Sequence, residues 1–288
     1  MMSFRELIEL RTYEPHLIGE ALAQRPRPPA YKKGEKMMII ACDHPARGAL
    51  GAGNNPFAMG DRQELLQRCQ EALSRPGVTG FLGTADLVED LTLMGALDNK
   101  HVFGSMNRTG LQGARFEMDD RFNCYDVAGI QASGLDGGKV LLRVNYADVA
   151  CAPTLEATGK AISDLAARNK IAMIEPFISS WIDDTIVNDL RSEAMIKAIA
   201  IASGLGNTSA YTWLKLPCVD NMEHVMKATS LPSLILGGKV DKELDVTMQK
   251  WAEALRLPQV KGLVIGRSLL FPPEGDITQA VDKAVSLL

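Results

Sequence analysis

The sequence predicts an α/β chain closed into a single (β/α)8 barrel, preceded by an N-terminal helical extension. Three observations carry this. Eight short apolar runs recur between residues 37 and 270, amphipathic stretches of helical length separate them, and the runs are apolar nearly throughout rather than alternating. Continuously apolar strands are buried on both faces, as in parallel sheets. Strands that alternate with helices make a parallel sheet, and eight such units favour a closed barrel over an open sheet. The 288 residues would allow two domains by length, but barrels of about 250 residues fold as one.

The elements follow in order. Residues 3–24 read as one helix, and "RPRPPAYKKGEK", with Pro26, Pro28 and Pro29, reads as a linker to the first strand. Residues 1–35 are therefore assigned to the extension and residues 36–288 to the barrel, the catalytic domain. The eight runs are "MMIIAC" (37–42), "GVTGFLGT" (77–84), "HVFGSMN" (101–107), "KVLLRVN" (139–145), "IAMIEPF" (171–177), "YTWLKLPC" (211–218), "SLILGG" (233–238) and "GLVIGRSLL" (262–270). Stretches such as "DRQELLQRCQEALSR" and "TLEATGKAISDLAARN" supply the helices between them. Asp119 and Asp120 are read as caps of a helix starting near Arg121. Trp213 and Trp251 are read as packing residues.

Active sites of such barrels lie at the C-terminal ends of the strands. The first run ends on Asp43, followed by a long glycine-rich loop, and unusually long loops tend to be functional covers. The plainer reading of Asp43 is a residue that turns the chain. Lys215 lies between Leu214 and Leu216 in the sixth run. A lysine there needs a paired charge or a depressed pKa, and desolvated lysines are the usual imine-forming nucleophiles. Glu175 ends the fifth run before Pro176. In the fourth, alternation puts Lys139, Leu141 and Arg143 on one face. Two inward cations ask for anionic partners, and Lys139 is expected to lower the pKa of Lys215. The last two runs lead into Gly237-Gly238 and Gly266-Arg267, where backbone N–H groups can approach a phosphate. Asn107, Arg108, Arg47 and Arg143 are candidate substrate contacts.

Composition narrows the classes of function. The net charge is -4, so no basic surface points to nucleic acid. No apolar run reaches the ~18 residues of a membrane span. The charged N-terminus lacks the apolar core of a signal peptide. Five scattered cysteines fit reduced thiols in a cytoplasm. The four histidines lie far apart without HxH or HExxH spacing, so neither metal nor other cofactor is expected.

The ordered set Asp43, Lys139, Glu175 and Lys215, followed by the GG and GR turns, resembles the class I (Schiff-base) aldolase superfamily. That group contains deoxyribose-phosphate, tagatose-bisphosphate and archaeal-type fructose-bisphosphate aldolases, all (β/α)8 (TIM) barrels. "WLKLP" is similar to the segment carrying the imine-forming lysine, and "DGGKVLLRV" to that carrying the second lysine of tagatose-bisphosphate aldolases. "ACDHP" resembles an Asp-His-Gly strand end, with Pro45 in place of the glycine. "DHPARGALG", "GSMNRTGL", "FEMDDRF" and "ASGLGNTSAYTWLKLP" resemble an actinobacterial branch whose members are often encoded with inositol-catabolism genes.

The resemblance implies a lyase that cleaves a phosphorylated keto sugar or keto sugar acid through a Lys215 imine, with Glu175 or Asp43 as base. By the genomic association, 2-deoxy-5-keto-gluconate 6-phosphate would give dihydroxyacetone phosphate and malonate semialdehyde. Arg143, Arg47 or Arg108 would meet the carboxylate end. The expected partner is a small phosphorylated sugar, and a homo-oligomer is expected. The alternatives are a sugar-phosphate isomerase or epimerase using Glu175 and Asp43 as acid and base, and a non-catalytic sugar-phosphate binder.

Overall fold

The structure, a computed structural model, describes residues 2–238, 244–273 and 276–288. Eight parallel strands close into a barrel: β1 (Met37–Cys42), β2 (Gly80–Gly83), β3 (His101–Ser105), β4 (Gly137–Val144), β5 (Ile171–Ile182), β7 (Thr212–Pro217), β8 (Ser233–Leu236) and β9 (Val260–Ile265). Each pairs with its neighbour in chain order, and β1 closes the ring by pairing with β9. A ninth strand, β6 (Thr185–Asn188), runs antiparallel to the far end of β5, outside the barrel.

All six residues of β1 are buried because each face has its own core. Met38, Ile40 and Cys42 face the helical layer, formed in part by α3 (Arg62–Ser74), α4 (Ala85–Leu93), α6 (Cys151–Ala166) and α7 (Ser192–Ser203). Met37, Ile39 and Ala41 point into the barrel, where they pack with Leu82, Phe103, Met173, Leu234 and Val264. Trp213 and Tyr31 pack against this interior cluster, their rings edge to face at 5.7 Å. Tyr31 belongs to the proline-rich segment, and Arg25 anchors that segment by donating to the carbonyls of Leu97 and Lys100 at 3.1 and 2.9 Å. The linker thus packs against the end of the barrel opposite the strand C-termini.

Three expectations are corrected. Residues 3–24 form two helices, α1 (Phe4–Tyr13) and α2 (His16–Gln24), broken at Glu14-Pro15. Pro15 has no N–H to continue the ladder. The helix after β3 is α5 (Val127–Ala132), capped by Asp126, whose side chain accepts from Gly129 N–H. Asp120 is instead buried and accepts from Gly110 N–H at 2.9 Å. The last apolar run ends as a strand at Ile265, and its tail forms the short helix α10 (Arg267–Leu270). Among the described residues no helix is long and apolar enough to cross a membrane.

Candidate active site

Strand parity builds the site. In β1 the inward set Met37, Ile39 and Ala41 continues to Asp43, one step past the strand. In β5 it runs from Ile171 through Met173 to Glu175, and in β7 from Trp213 to Lys215. The register of β3 and β4 pairs Ser105 with Lys139. Each strand therefore points its charged side chain into the barrel, above an apolar floor; Glu175 does not end its strand, because β5 continues through Pro176 to Ile182.

These groups form one line of contacts. Arg108 pairs with Asp43, Lys139 donates to Asp43 at 3.2 Å and pairs with Glu175 at 2.5 Å, and Lys215 pairs with the other oxygen of Glu175 at 3.1 Å. Ser105 Oγ donates to Asp43 at 3.0 Å and accepts from Arg108 Nε at 2.8 Å. All five charged side chains are buried. Among the described residues, three cations thus face two carboxylates in this line of contacts. A buried cluster with a surplus cation lowers its energy by giving up one proton. Arginine keeps its proton, so the loss falls on a lysine.

The protonation equilibria follow the same logic. Burial lowers the Lys215 ammonium, Glu175 opposes it, and Arg108 and Arg267 reinforce it. Burial and then Arg108 push Lys139 further down, against Glu175. For Glu175 burial acts upward, but Lys139 and Lys215 outweigh it and hold the carboxyl well below the usual carboxylate range. Arg108 and Arg267 repel the Lys215 ammonium directly, and Lys139 acts on it by competing for Glu175.

The two glycine turns lie side by side. A Cβ on Gly237 would fall 2.6 Å from Ile265 Cγ2, so the turn after β8 rests on β9. Gly238 has φ +71° with open space on its Cβ side. A Cβ on Gly266 would collide with the Ala41 carbonyl, which ties the end of β9 to β1. Arg267 donates through Nη1 to Gly51 O at 3.2 Å, while its buried Nε has no partner. The Oγ of Ser268 is likewise buried without a partner.

The remaining candidates lie in a second cluster. Arg143 pairs with Glu117 at 2.6 Å and Arg47 pairs with the same oxygen at 2.9 Å, clamping the loop after β3 over the loop after β1. Asn107 is committed to the backbone: its amide donates to Leu141 O at 2.7 Å and accepts from Leu141 N–H at 2.8 Å, extending the β3–β4 ladder by one step. Sequence reasoning missed Ser105, Glu117, Ser268 and His44. Ser105 carries a parity signal, since it is polar at the inward position of an apolar strand. Glu117 carries none, because its place depends on the path of a long loop. His44 follows Asp43, and its Nδ1 is buried with no hydrogen-bond partner.

The family model described as Cgl0159-like matches residues 35–285. The crystal structure of Cgl0159 from Corynebacterium glutamicum superposes with a TM-score of 0.96 at 49% identity, covering 99% of this chain and 96% of that one. A Schiff base forming fructose-1,6-bisphosphate aldolase superposes with a TM-score of 0.67 at 16% identity, covering 94% and 99%. An archaeal fructose 1,6-bisphosphate aldolase gives 0.65 at 16% identity, covering 94% and 98%. These two likenesses establish a shared barrel fold. No match was found among curated proteins. The chain belongs to the Cgl0159-like family.

Proposed function

We propose that this member of the Cgl0159-like family is a class I aldolase that cleaves a phosphorylated keto sugar or keto sugar acid through an imine on Lys215. The observation that carries the reading is the buried Lys215 ammonium at a strand end, held by a single carboxylate within a cluster of surplus positive charge. Burial lowers the ammonium of such a lysine and makes its neutral, nucleophilic form more accessible. The fold shared with a Schiff base forming aldolase supports it further.

The chemistry runs in order. The Lys215 amine attacks the ketone, and loss of water gives an iminium beside the bond to be broken. The β-hydroxyl gives up its proton to a base at the strand ends. The carbon–carbon electrons move into the iminium, an aldehyde leaves, and an enamine remains. Protonation of the enamine carbon and hydrolysis return the lysine. The turns at Gly237-Gly238 and Gly266-Arg267 hold the phosphate, and Arg267 adds charge. For 2-deoxy-5-keto-gluconate 6-phosphate the products are dihydroxyacetone phosphate and malonate semialdehyde. Of the three candidate arginines, Arg47 keeps the most exposure at 17%, against 4% for Arg143 and 3% for Arg108, so the carboxylate end is assigned to Arg47.

The test is reduction with borohydride in the presence of dihydroxyacetone phosphate, followed by mass spectrometry of the peptides. The expected result is an adduct on Lys215 that is absent from Lys215→Ala, which also loses cleavage. No adduct, with turnover of a sugar phosphate retained, would rule out imine chemistry.

A further inference from the structure

We propose, resting on the aldolase reading, that His44 is the proton carrier of this site: its ring takes the proton released as the carbon–carbon bond breaks and returns it to the enamine carbon. Two carboxylates stand closer to the lysines, but Glu175 and the Oδ2 of Asp43 are already occupied. Glu175 is shared by Lys139 and Lys215, and Asp43 receives Arg108, Lys139 and Ser105. Charge pairing with these cations keeps both carboxylates ionised, and Asp43 Oδ1, turned toward His44, is placed to stabilise a charged ring.

His44 is placed differently. It leaves β1 directly after Asp43 and precedes the short 3-10 turn Pro45–Arg47. Its ring crosses to the end of β9, where Cε1 lies 3.3 Å from the position a Cβ on Gly266 would take. The ring therefore sits between Asp43 and the Gly266-Arg267 turn. Nδ1 is buried, lacks a hydrogen-bond partner among the described residues, and stands 3.8 Å from Asp43 Oδ1. The side chain keeps 26% exposure, so it is reachable from the mouth. An unpartnered buried polar atom is costly, and one that faces a cluster of charged groups calls for a functional explanation.

The charges around it suit the task. Asp43 just past β1, Lys139 on β4, Glu175 on β5, Lys215 on β7 and Arg267 on α10 face the ring. Burial and the three cations keep the ring neutral at rest, with Glu175 opposing them. A neutral ring has a free lone pair. In cleavage, the hydroxyl O–H bond breaks and a ring N–H bond forms, while the carbon–carbon pair moves into the iminium and the aldehyde leaves. The imidazolium, stabilised by Asp43, then gives its proton to the enamine carbon. That restores the iminium and the neutral ring, with no proton left over.

The experiment uses the full-length protein and dihydroxyacetone phosphate in heavy water. Proton NMR follows exchange of the hydroxymethyl C–H, and borohydride trapping runs in parallel. His44→Gln is expected to trap still, while exchange falls about 10²- to 10⁴-fold, the range of general acid–base catalysis. In His44→Ala, added imidazole should restore part of the exchange. Undiminished exchange in His44→Gln overturns the assignment. So does joint loss of trapping and exchange that imidazole does not relieve, which would mark a structural role. Absence of any adduct in the wild-type protein overturns the aldolase reading itself, so the two failures are distinguishable.

Discussion

Replacing Lys139 by methionine should make Lys215 a worse nucleophile at neutral pH without touching it. In the native cluster Glu175 divides its charge between Lys139 at 2.5 Å and Lys215 at 3.1 Å, and three cations face two carboxylates. Lys139→Met leaves Arg108 with Asp43 and Lys215 with Glu175, two balanced pairs. The pressure to shed a proton disappears, and Glu175 is free to hold the Lys215 ammonium alone. With an effective dielectric constant of about 20, an ion pair at that separation has a Coulomb energy of about 5 kcal/mol, an upper bound. Observed shifts from one neighbouring charge are about one to three pKa units. The sign is fixed: the Lys215 pKa rises, and each unit removes a factor of about ten from the neutral amine at pH 7. Borohydride trapping at pH 7 should therefore slow by about 10- to 10³-fold and recover tenfold per pH unit as Lys215 deprotonates. The assay is the trapping rate against pH, with circular dichroism to confirm folding. Wild-type trapping at pH 7 in Lys139→Met would refute the charge-balance reasoning, and an adduct on Lys139 in the native protein would reverse the two lysines.

Three further outcomes are expected. Gly266→Ala drives a methyl group into the Ala41 carbonyl and should lower the melting temperature and trapping together, by a cost of about 1–3 kcal/mol or more, whereas Gly238→Ala meets open space and costs about 1–2 kcal/mol from its φ of +71° alone. Activity should survive EDTA, because the iminium is the electron sink; loss on chelation and recovery with zinc would contradict imine chemistry. Asp136 accepts from Val102 N–H at 2.8 Å and His101 Nδ1 at 2.9 Å; burial raises its carboxyl, but these contacts win and hold it below the usual range. Its contribution is thus present above the unfolded carboxylate pKa of about 3.9 and lost as pH falls through the lower folded value, so Asp136→Asn should flatten the acid limb of stability measured by urea unfolding.

The barrel was legible because its strands carry an unusual signature, apolar on both faces, which only a covered parallel sheet explains. Lys215 and Glu175 were legible for the same reason, since a charge in an apolar strand stands out. The hairpin of β5 and β6 was not. Its turn, Asp183-Asp184, has both residues at positive φ (+47° and +58°), yet contains no glycine to announce it. The loop from 106 to 126 was misread because local capping chemistry made Asp120 a helix start. Tertiary contacts with Gly110 and Arg143 claim that side chain, and Asp126 takes the cap.

Arg108 shows where the sequence signal ends. It lies three residues past β3 in a loop, with no periodicity to aim it, and it was read as a substrate contact. Its guanidinium instead reaches Asp43 and Ser105, buried at the centre of the cluster. With Lys139, Lys215, Asp43 and Glu175 alone the charges balance, and neither lysine is forced to deprotonate. Arg108 adds the surplus charge, and because arginine cannot give up its own proton, the cost falls on a lysine. The strands supply the two lysines and Glu175. The loop supplies the cation that lowers both ammonium groups, and that pairing is a property of the path of the loop across the barrel mouth.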